Sequence, residues 1–393
     1  MTRLALWLLI AAVAPAHAAA AAKPHPPPHP IASSTVDSAT VGRTRHVQRA
    51  FADALELERR GDLRTAIGAY RAVVRADSAY PEANYRLGRL LESLDKLPDA
   101  LTAYRAELRF HPGHAAAQRE LGLTLARLGQ TKPAIATLER LTRAQPTDDQ
   151  AWQALGFVYS VAGRHADAET ALRRAIAYAP DRASEHRDLA VLLAGLGRES
   201  DARAEYHAAI ALDDADPATW TNLGNLEARS EHWSAALEAY RSAEARDSSY
   251  ALALQGEIIV LDHLEDRKGA AETARRWLHI RPDDHRARLE AVSRYHQLGQ
   301  DDTALALARE GVARSPSSGD AHVVLSSVLD TQRRPREALH ELRVAARLFR
   351  DPLNRGRVIN MMRATMGALP ESIRVLVRQD SVAELARRGA RPR

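Results

Sequence analysis

The sequence contains no cysteine. Disulfide scaffolds, thiolate zinc sites, iron–sulfur clusters, cysteine nucleophiles and anchoring through a lipidated cysteine are therefore excluded. Aromatic residues are also scarce, at 5% of 393 residues with only four phenylalanines, and the apolar stretches are dominated by alanine. So few bulky side chains argue against the cores of large β-sandwiches and favour helices that pack closely through small residues. The sequence thus predicts an all-α protein.

Lysine is nearly absent as well, since the chain holds only Lys23, Lys96, Lys132 and Lys268 and most of its positive charge is arginine. The net charge is only +5, because 55 basic residues face 50 acidic ones. Near-balanced charge and 45% hydrophobic residues predict a folded chain. No nucleic acid is expected as a partner, because no recognition-helix or aromatic–basic motif accompanies the charge.

The first residues have the pattern of an export signal rather than of a folded element. Arg3 precedes a short apolar run from Leu4 to Val13, and Ala16-His17-Ala18 fits a small-x-small cleavage site. The run is shorter than the ~20 residues of a spanning helix. We therefore expect a signal peptide at 1–18 and a periplasmic or cell-surface protein secreted across the inner membrane. An uncleaved N-terminal anchor is the alternative.

The segment 19–46 is predicted to be a linker rich in proline, histidine and serine. Lys23 to Pro30 carries five prolines, which favour polyproline II, and the Ser/Thr stretch that follows has no apolar period. His25 and His29 would bind a metal only weakly, because no acidic or second histidine cluster completes a site. The segment is interpreted as a spacer, and no metal site is expected.

From about Val47 the chain repeats itself every 34 residues, which predicts a stack of similar units. Alanine marks the period at Ala66, Ala100, Ala134, Ala168, Ala202, Ala236, Ala270, Ala304 and Ala338. Other positions keep the same phase. Leucine stands thirteen residues before the marker in six repeats, a small residue usually follows it, and tyrosine or leucine stands four residues after the marker in seven. The most complete repeat reads Trp152-x-x-Leu155-Gly156-x-x-Tyr159, then Ala168, Leu172, Ala175 and Pro180.

This pattern resembles the tetratricopeptide repeat (TPR) family over residues 47–352, in nine consecutive repeats. The resemblance implies a right-handed superhelical solenoid of helix-turn-helix repeats, each with a helix A and a helix B. Glycines at 61, 129, 163, 197 and 299 are expected to end helix A, and Asp148, Asp181, Asp283 and Ser317 to cap the next helix A. Residues 353–393 are predicted to be degenerate, arginine-rich capping helices.

Three repeats depart from the pattern. The first has Asp53 in place of the leucine, as is common in terminal repeats. The seventh and eighth replace Leu-Gly with Glu257-Ile258 and Ala291-Val292, and both carry alanine where helix B normally has a large residue. These two repeats are therefore expected to pack less well, with Trp277 compensating in the seventh.

The sequence contains no catalytic motif, so no enzyme activity and no cofactor are expected. Phosphate-binding, dinucleotide-binding, zinc-protease, serine-hydrolase and EF-hand signatures are all absent from the sequence. Four acidic pairs, such as Asp148-Asp149, fall at predicted turns, where helix capping explains them. The pair His111 and His114 spans a turn and is a weak metal candidate.

The sequence therefore predicts an exported scaffold that binds a protein or peptide partner in its concave groove. The alternative is a structural subunit of a cell-envelope assembly or secretion complex, with peripheral association to a membrane complex but no integral span after signal cleavage. An enzyme with an unrecognised site is the third hypothesis. Arginines in the C-terminal segment either bind an anionic partner or form a solvated face.

By family resemblance, the fifth and ninth positions of helix A face the groove. In repeats two to six these positions predict a partner-binding groove at Tyr85, Arg89, Arg119, Leu123, Gln153, Phe157, Arg187, Val191, Thr221 and Asn225. Arginine suits carboxylate contact, and Tyr85 and Phe157 suit apolar side chains, so an acidic or amphipathic partner is expected. The alternative is that these arginines simply face water. The chaperone-binding clamp of some relatives is not reproduced, because Phe51 and Leu55 stand where Lys and Asn would be needed.

Overall fold

The computed structural model describes residues 38–367, with side-chain exposure from residue 44 onward. Within that range every regular element is an α-helix. The signal peptide, most of the linker and residues 368–393 of the predicted cap lie outside the described residues. Among the helices of the described range, none combines the length and the apolar character that crossing a bilayer requires.

The helices follow one another in pairs of nearly constant length. They are α1 (Ser38–Arg59), α2 (Leu63–Ala76), α3 (Ala83–Ser93), α4 (Leu97–Phe110), α5 (Ala115–Arg127), α6 (Thr131–Ala144), α7 (Asp149–Val161), α8 (His165–Tyr178), α9 (Ala183–Gly195), α10 (Glu199–Leu212), α11 (Pro217–Arg229), α12 (Trp233–Arg246), α13 (Ala251–His263), α14 (Arg267–Ile280), α15 (His285–Gln297), α16 (Asp301–Arg314), α17 (Gly319–Thr331), α18 (Pro335–Leu348) and α19 (Pro352–Gly367). The odd-numbered helices from α1 to α17 are the helices A of repeats one to nine, and the even-numbered helices are the helices B. The all-α helix-pair fold expected from the sequence is confirmed.

The start of α1 corrects the predicted linker boundary. The helix begins at Ser38, so it includes the last nine residues of the segment 19–46. Pro30 is the last proline before Pro81, and no helix breaker of that kind interrupts this stretch. Once repeat one has formed its helix A, each further residue adds to an existing helix without the cost of nucleation. The helix therefore extends into residues that have no apolar period.

The chain divides into two compact units, the first ending at Leu87 and the second beginning at Gly88. In the first unit α1 packs on α2, and Tyr70 is fully buried between them. The Tyr70 hydroxyl donates a hydrogen bond to Glu58 Oε2 at 2.6 Å, and burial together with this carboxylate raises the pKa of the phenol. Phe51 contacts the Tyr70 ring edge-on at 5.7 Å, while Asp53 is exposed. The first repeat therefore has an exposed acidic residue at the leucine position and an aromatic contact two residues earlier on the same helix.

In the second unit, glycine on helix A lets a large side chain of helix B approach closely. A Cβ atom added to Gly88, Gly122, Gly156 or Gly224 would lie 2.5–2.8 Å from the nearest atom of Tyr104, Leu138, Leu172 or Tyr240 respectively. Real Cβ atoms do not approach so closely, so these positions have no room for a larger residue. The marker alanines are fully buried in every repeat. The small-residue packing expected from composition is confirmed.

Repeats seven and eight fill the same space from the opposite helix. Ile258 and Val292 replace the glycine of helix A and are buried, and the facing helix B residues are the fully buried Ala274 and Ala308. The large and small partners have thus exchanged helices, and Trp277 is also buried in repeat seven. The volume missing on helix B is therefore supplied by helix A. The weaker packing of these two repeats stays a prediction.

Each helix A ends in a residue with left-handed backbone geometry. The five glycines expected there have φ between 72° and 76°. In the other four repeats the same position is held by Asp95, Glu231, Glu265 and Arg333, with φ between 56° and 60°. Left-handed φ is costly for residues other than glycine, so the turn geometry is imposed by the packing of the helix pair.

The N-terminal cap of helix A lies two residues after the proline of the preceding turn, which corrects three of the four expected caps. Asp148 does cap α7, accepting from Ala151 N at 3.0 Å. For α15 and α17 the caps are Asp284 and Ser318, one residue after the predicted Asp283 and Ser317. Helix α9 begins after Arg182 without a side-chain cap, so Asp181 does not act as one. The two residues after proline form the turn, and only the second has the geometry of a cap.

A second regular contact joins one position near the start of helix A to the turn before it. In each case a side-chain nitrogen lies within hydrogen-bonding distance of the carbonyl oxygen six residues earlier. The pairs are Asn84 with Ser78, Gln118 with Pro112, Trp152 with Pro146, Trp220 with Asp214, Arg288 with Pro282 and His322 with Pro316. The tryptophan of the repeat pattern therefore serves partly as a hydrogen-bond donor, a role that four other residue types take over here.

Helix α19 covers the last complete repeat. It packs on α18, with Val358 buried and Met362 packed against Leu342 and Leu339. The described part of the C-terminal segment is therefore a capping helix.

Candidate functional site

The helices A of the second unit form a continuous layer from α5 to α13. Helix α5 contacts α7, α7 contacts α9, α9 contacts α11, and α11 contacts α13. Residues four apart on a helix lie on the same face, so the fifth and ninth positions of each helix A point to the same side of this layer. This arrangement brings the predicted residues of repeats three to six onto adjacent helices.

The most accessible apolar residues of this layer are Phe157 and Val161. Their exposed fractions are 37% and 52%, and they lie one turn apart on α7. Leu123 on α5 and Val191 on α9 are half-buried on the two helices that flank α7. We call the surface formed by Leu123, Phe157, Val161 and Val191, with Arg119, Gln153 and Arg187 on the same helices, the helix A face. Val161 was not predicted, although its spacing of four from Phe157 is the signal that would have found it.

The polar residues of the helix A face are linked to one another through carboxylates. Gln153 Nε2 on α7 donates to Asp188 Oδ2 on α9 at 2.8 Å. Arg187 Nη1 donates to Asp216 Oδ2, the cap of α11, at 2.9 Å, and its Nε lies 3.4 Å from Asp188 Oδ1. Three consecutive repeats are therefore joined by one chain of hydrogen bonds and ion pairs.

These contacts shift the pKa of both ion-pair partners. Burial alone would lower the pKa of Arg187, but Asp188 and Asp216 raise it above its ordinary value. Burial would likewise raise the pKa of Asp216, but hydrogen bonds from Thr219 and Arg187 lower it. Both groups are therefore charged at neutral pH, and Arg187 is already neutralised from within the chain.

The other predicted residues are placed less uniformly. Arg119 is half-buried, with its Nε 3.5 Å from Glu120 Oε1. Tyr85 is half-buried and Arg89 is exposed, both on α3. Tyr85 belongs to the first compact unit and Arg89 to the second.

Thr221 and Asn225 are used inside the fold. Thr221 is only 4% exposed, and its hydroxyl donates to Pro217 O at 2.8 Å within α11. Asn225 Oδ1 accepts a hydrogen bond from the Tyr240 hydroxyl at 2.7 Å. The exposed part of the helix A face therefore lies on repeats three to five.

No metal-ligand cluster of three or more histidine or acidic residues occurs in residues 38–367. His114 caps α5, because its Nδ1 accepts from Ala117 N at 3.2 Å. His111 Nδ1 lies 2.9 Å from Glu107 Oε1 in α4. The two histidines therefore serve separate local contacts. The acidic pairs also lie at helix ends, with Asp148 and Asp284 as caps and Asp213 accepting from Ala215 N.

Helix pairs of constant length, with a buried alanine layer and a left-handed turn in each, define a helical repeat protein. Sequence models of the tetratricopeptide repeat match residues 51–115, 154–217 and 221–285, and a further one matches residues 115–158. These matches span more than half of the chain, so it belongs to the tetratricopeptide repeat family. Proteins of this family generally mediate protein–protein interaction. No curated protein matches the chain.

Several solved structures are similar to parts of the chain. A thermophilic TPR protein from Thermus thermophilus is 24% identical, with a TM-score of 0.42 over 47% of this chain and 98% of that one. A tetratricopeptide repeat protein from Parabacteroides merdae is 14% identical, with a TM-score of 0.40 over 64% of this chain and 98% of that one. MamA from Desulfovibrio magneticus is 23% identical, with a TM-score of 0.39 over 42% of this chain and 94% of that one.

Proposed function

We propose that this protein is a non-catalytic, exported scaffold that binds a partner protein or peptide on its helix A face. The observation that carries the proposal is the exposure of Phe157 and Val161, one turn apart, on a helix flanked by half-buried Leu123 and Val191. Large apolar side chains exposed together are typical of interaction sites. A partner that covers them gains the free energy of burying apolar surface.

The surroundings of this apolar group favour an amphipathic partner. Arg119 and Arg187 stand on the helices to either side, and their guanidinium groups are partly accessible. A carboxylate of the partner at the edge of the contact would share Arg187 with Asp216, or Arg119 with Glu120. Such a rim contact adds specificity and a salt dependence more than it adds affinity.

Site-specific photo-crosslinking tests this function. With a photo-reactive phenylalanine analogue at position 157, we expect one dominant crosslinked partner in cells that express the protein. The same analogue at position 178, an exposed tyrosine at the end of helix B in the same repeat, should give none of that product. Equal products from both positions would contradict a binding site on the helix A face. Recovery of the crosslink only within a stable membrane complex would favour the envelope-assembly alternative.

Export is a separate part of the proposal, supported by the charged, apolar and small-x-small order of residues 1–18. N-terminal sequencing of the protein from the cell envelope is expected to give a mature chain that starts near Ala19. An intact Met1 in the membrane fraction would show an anchor in place of a cleaved signal.

A further inference from the structure

Glu185 stands at a position where the other repeats from two to nine hold a small residue. This position, two residues before the fifth position of helix A, is alanine in six repeats, namely Ala83, Ala117, Ala151, Ala253, Ala287 and Ala321, and Thr219 in the sixth. Glu185 takes this place in repeat five and is 0% exposed. Glutamate is almost never fully buried unless it is paired, and the alanines show that the fold does not need a carboxyl group here. The residue therefore calls for a specific explanation.

A second carboxyl group, on the neighbouring repeat, pairs with the same arginine as Glu185. It belongs to Asp149, the first residue of α7. Glu185 Oε1 and Asp149 Oδ2 are both buried, and no well-aligned donor among the described residues serves either atom. Arg182 lies 2.8 Å from Asp149 Oδ2 and 3.9 Å from Glu185 Oε1, which makes it an ion-pair partner without an aligned hydrogen bond.

Two buried carboxyl groups that depend on one arginine repel each other when both are ionised, so the protonated form of one of them is favoured. Burial is the largest influence on Glu185, and Asp188 and Asp149 add negative charge, while Arg182 opposes them. Together these influences raise the pKa of Glu185 to about 8. The carboxyl group is therefore neutral at neutral pH and can donate to Asp149.

Charged groups from every helix that packs on α9 define the surroundings of this pair. Helix α7 contributes Asp149, and α9 with its cap contributes Arg182, Asp188 and His186. On α10, Glu205 pairs with His186 at 2.7 Å, and on α8, Glu169 pairs with Arg173 and Arg198, while Asp216 at the start of α11 pairs with Arg187. Arg182 is the cation that pairs with Glu185, and it is shared with Asp149.

We propose that Asp149 and Glu185 share one proton, and that this proton is a pH-sensitive clasp between α7 and α9. The clasp joins the helices that carry Phe157, Val161 and Val191, so its release alters the spacing of the helix A face at its most exposed part. In that respect the inference rests on the proposed function. The clasp itself requires only the contact between repeats four and five.

The direction of the pH effect follows from the two states of Glu185. In the unfolded chain its pKa has the ordinary value of 4.5, and in the folded chain it is raised. The folded state therefore binds more protons, and the stabilisation is complete below about pH 4.5 and is lost as the pH rises through the folded value. The clasp is closed in acidic and neutral medium and open in alkaline medium.

Amide hydrogen exchange of the partner-free protein tests the clasp through the variant Glu185→Gln. Glutamine keeps the shape of the protonated side chain and donates to Asp149 at every pH. Between pH 6 and pH 9, the ratio of the exchange rates of the α7 and α9 amides in the original protein to those in the variant should rise about tenfold or more. The reason is that the stabilisation remaining at pH 6 is lost above the folded pKa of about 8. Comparison at a single pH cancels the intrinsic rate of exchange.

The control is Glu257→Gln in repeat seven. Glu257 is equally buried but is paired with both Arg241 and Arg276, so its loss should leave the pH response of α7 and α9 unchanged. If Glu185→Gln does not fold, Glu185→Ala supplies the residue that six other repeats carry. The clasp is refuted if the ratio of exchange rates between the original protein and the variant is the same at pH 6 and pH 9.

The affinity for the partner provides an independent test of the clasp. With the crosslinked partner of the helix A face, affinity should change between pH 6 and pH 9 in the original protein and not in Glu185→Gln. A pH-dependent exchange ratio without any effect on binding would support the clasp and contradict the location of the binding site.

Discussion

Phe157→Ser is expected to weaken partner binding by about tenfold or more. Complete burial of a phenylalanine side chain contributes about 1.5–3 kcal/mol, and each 1.4 kcal/mol changes a dissociation constant about tenfold. Phe157 is already partly covered by its neighbours, so the lower part of that range applies. Addition of Val161→Ser should weaken binding further, because Val161 extends the same apolar surface by one turn. Isothermal titration with the crosslinked partner would measure both steps.

Tyr178→Ser is the matched control for this substitution. Tyr178 is 47% exposed on helix B of the same repeat, and serine has a helix propensity close to those of phenylalanine and tyrosine. Both variants should therefore keep the helicity of the original protein, and only Phe157→Ser should change affinity. If the two variants weaken binding equally, the partner does not recognise the helix A face.

For the arginines of the helix A face, a substitution that removes the charge is more informative than one that reverses it. Arg187→Glu would place a third carboxylate beside Asp188 and Asp216 and would disturb the fold before it reported on binding. For this reason Arg187→Gln is the informative change. It removes the charge while its amide can still donate a hydrogen bond.

The repeat architecture is readable from the sequence because each repeat places the same kinds of residue in the same packing layer. Nine alanines at a period of 34 are all fully buried, and five glycines mark the left-handed ends of helix A. The same backbone geometry at Arg333 or Asp95 could be predicted only from the phase of the repeat, since the residue type alone argues against it. The exchange of the large and small residues between the two helices, as in Ile258 and Ala274, cannot be recognised from one repeat position alone. It involves one residue on each helix of the pair.

The exposure of the candidate residues could be predicted from the sequence only in part, for reasons of geometry. A position rule averaged over a family identifies Phe157 as accessible, but it cannot show that the Tyr240 hydroxyl reaches Asn225 or that Thr221 is buried. The pairing of Arg187 with Asp216 joins residues 29 apart and depends on the spacing of adjacent repeats. Glu185, in contrast, was visible in the aligned repeats as a glutamate among alanines, and only the identity of its partner needed the structure.

Gly156→Ala is expected to destabilise repeat four, although alanine normally strengthens a helix. A Cβ at this position would lie 2.7 Å from Leu172 Cγ and 3.3 Å from the backbone oxygen of Ala168. The side chain can turn away but the backbone of α8 cannot, so the two helices must move apart. Overpacking of this kind costs about 1–3 kcal/mol, which exceeds the gain in helix propensity of about 0.5–1 kcal/mol. Hydrogen exchange in α7 and α8 would report the loss as a lower local free energy of opening.

Gly68→Ala is a control that separates the steric effect of an added Cβ from its effect on helix propensity. Gly68 is an exposed glycine within α2, and an added Cβ would meet nothing within 4 Å, so the same substitution should stabilise that helix by about 0.5–1 kcal/mol. A double-mutant cycle tests the contact between Gly156 and Leu172 directly. Leu172→Ala should cost less in the Gly156→Ala background than alone, because it removes the side chain that the new methyl group meets. Only part of the loss should be recovered, since the contact with Ala168 remains. Stabilisation by Gly156→Ala equal to that of Gly68→Ala would mean that the helices of repeat four are not held at the distance the structure shows.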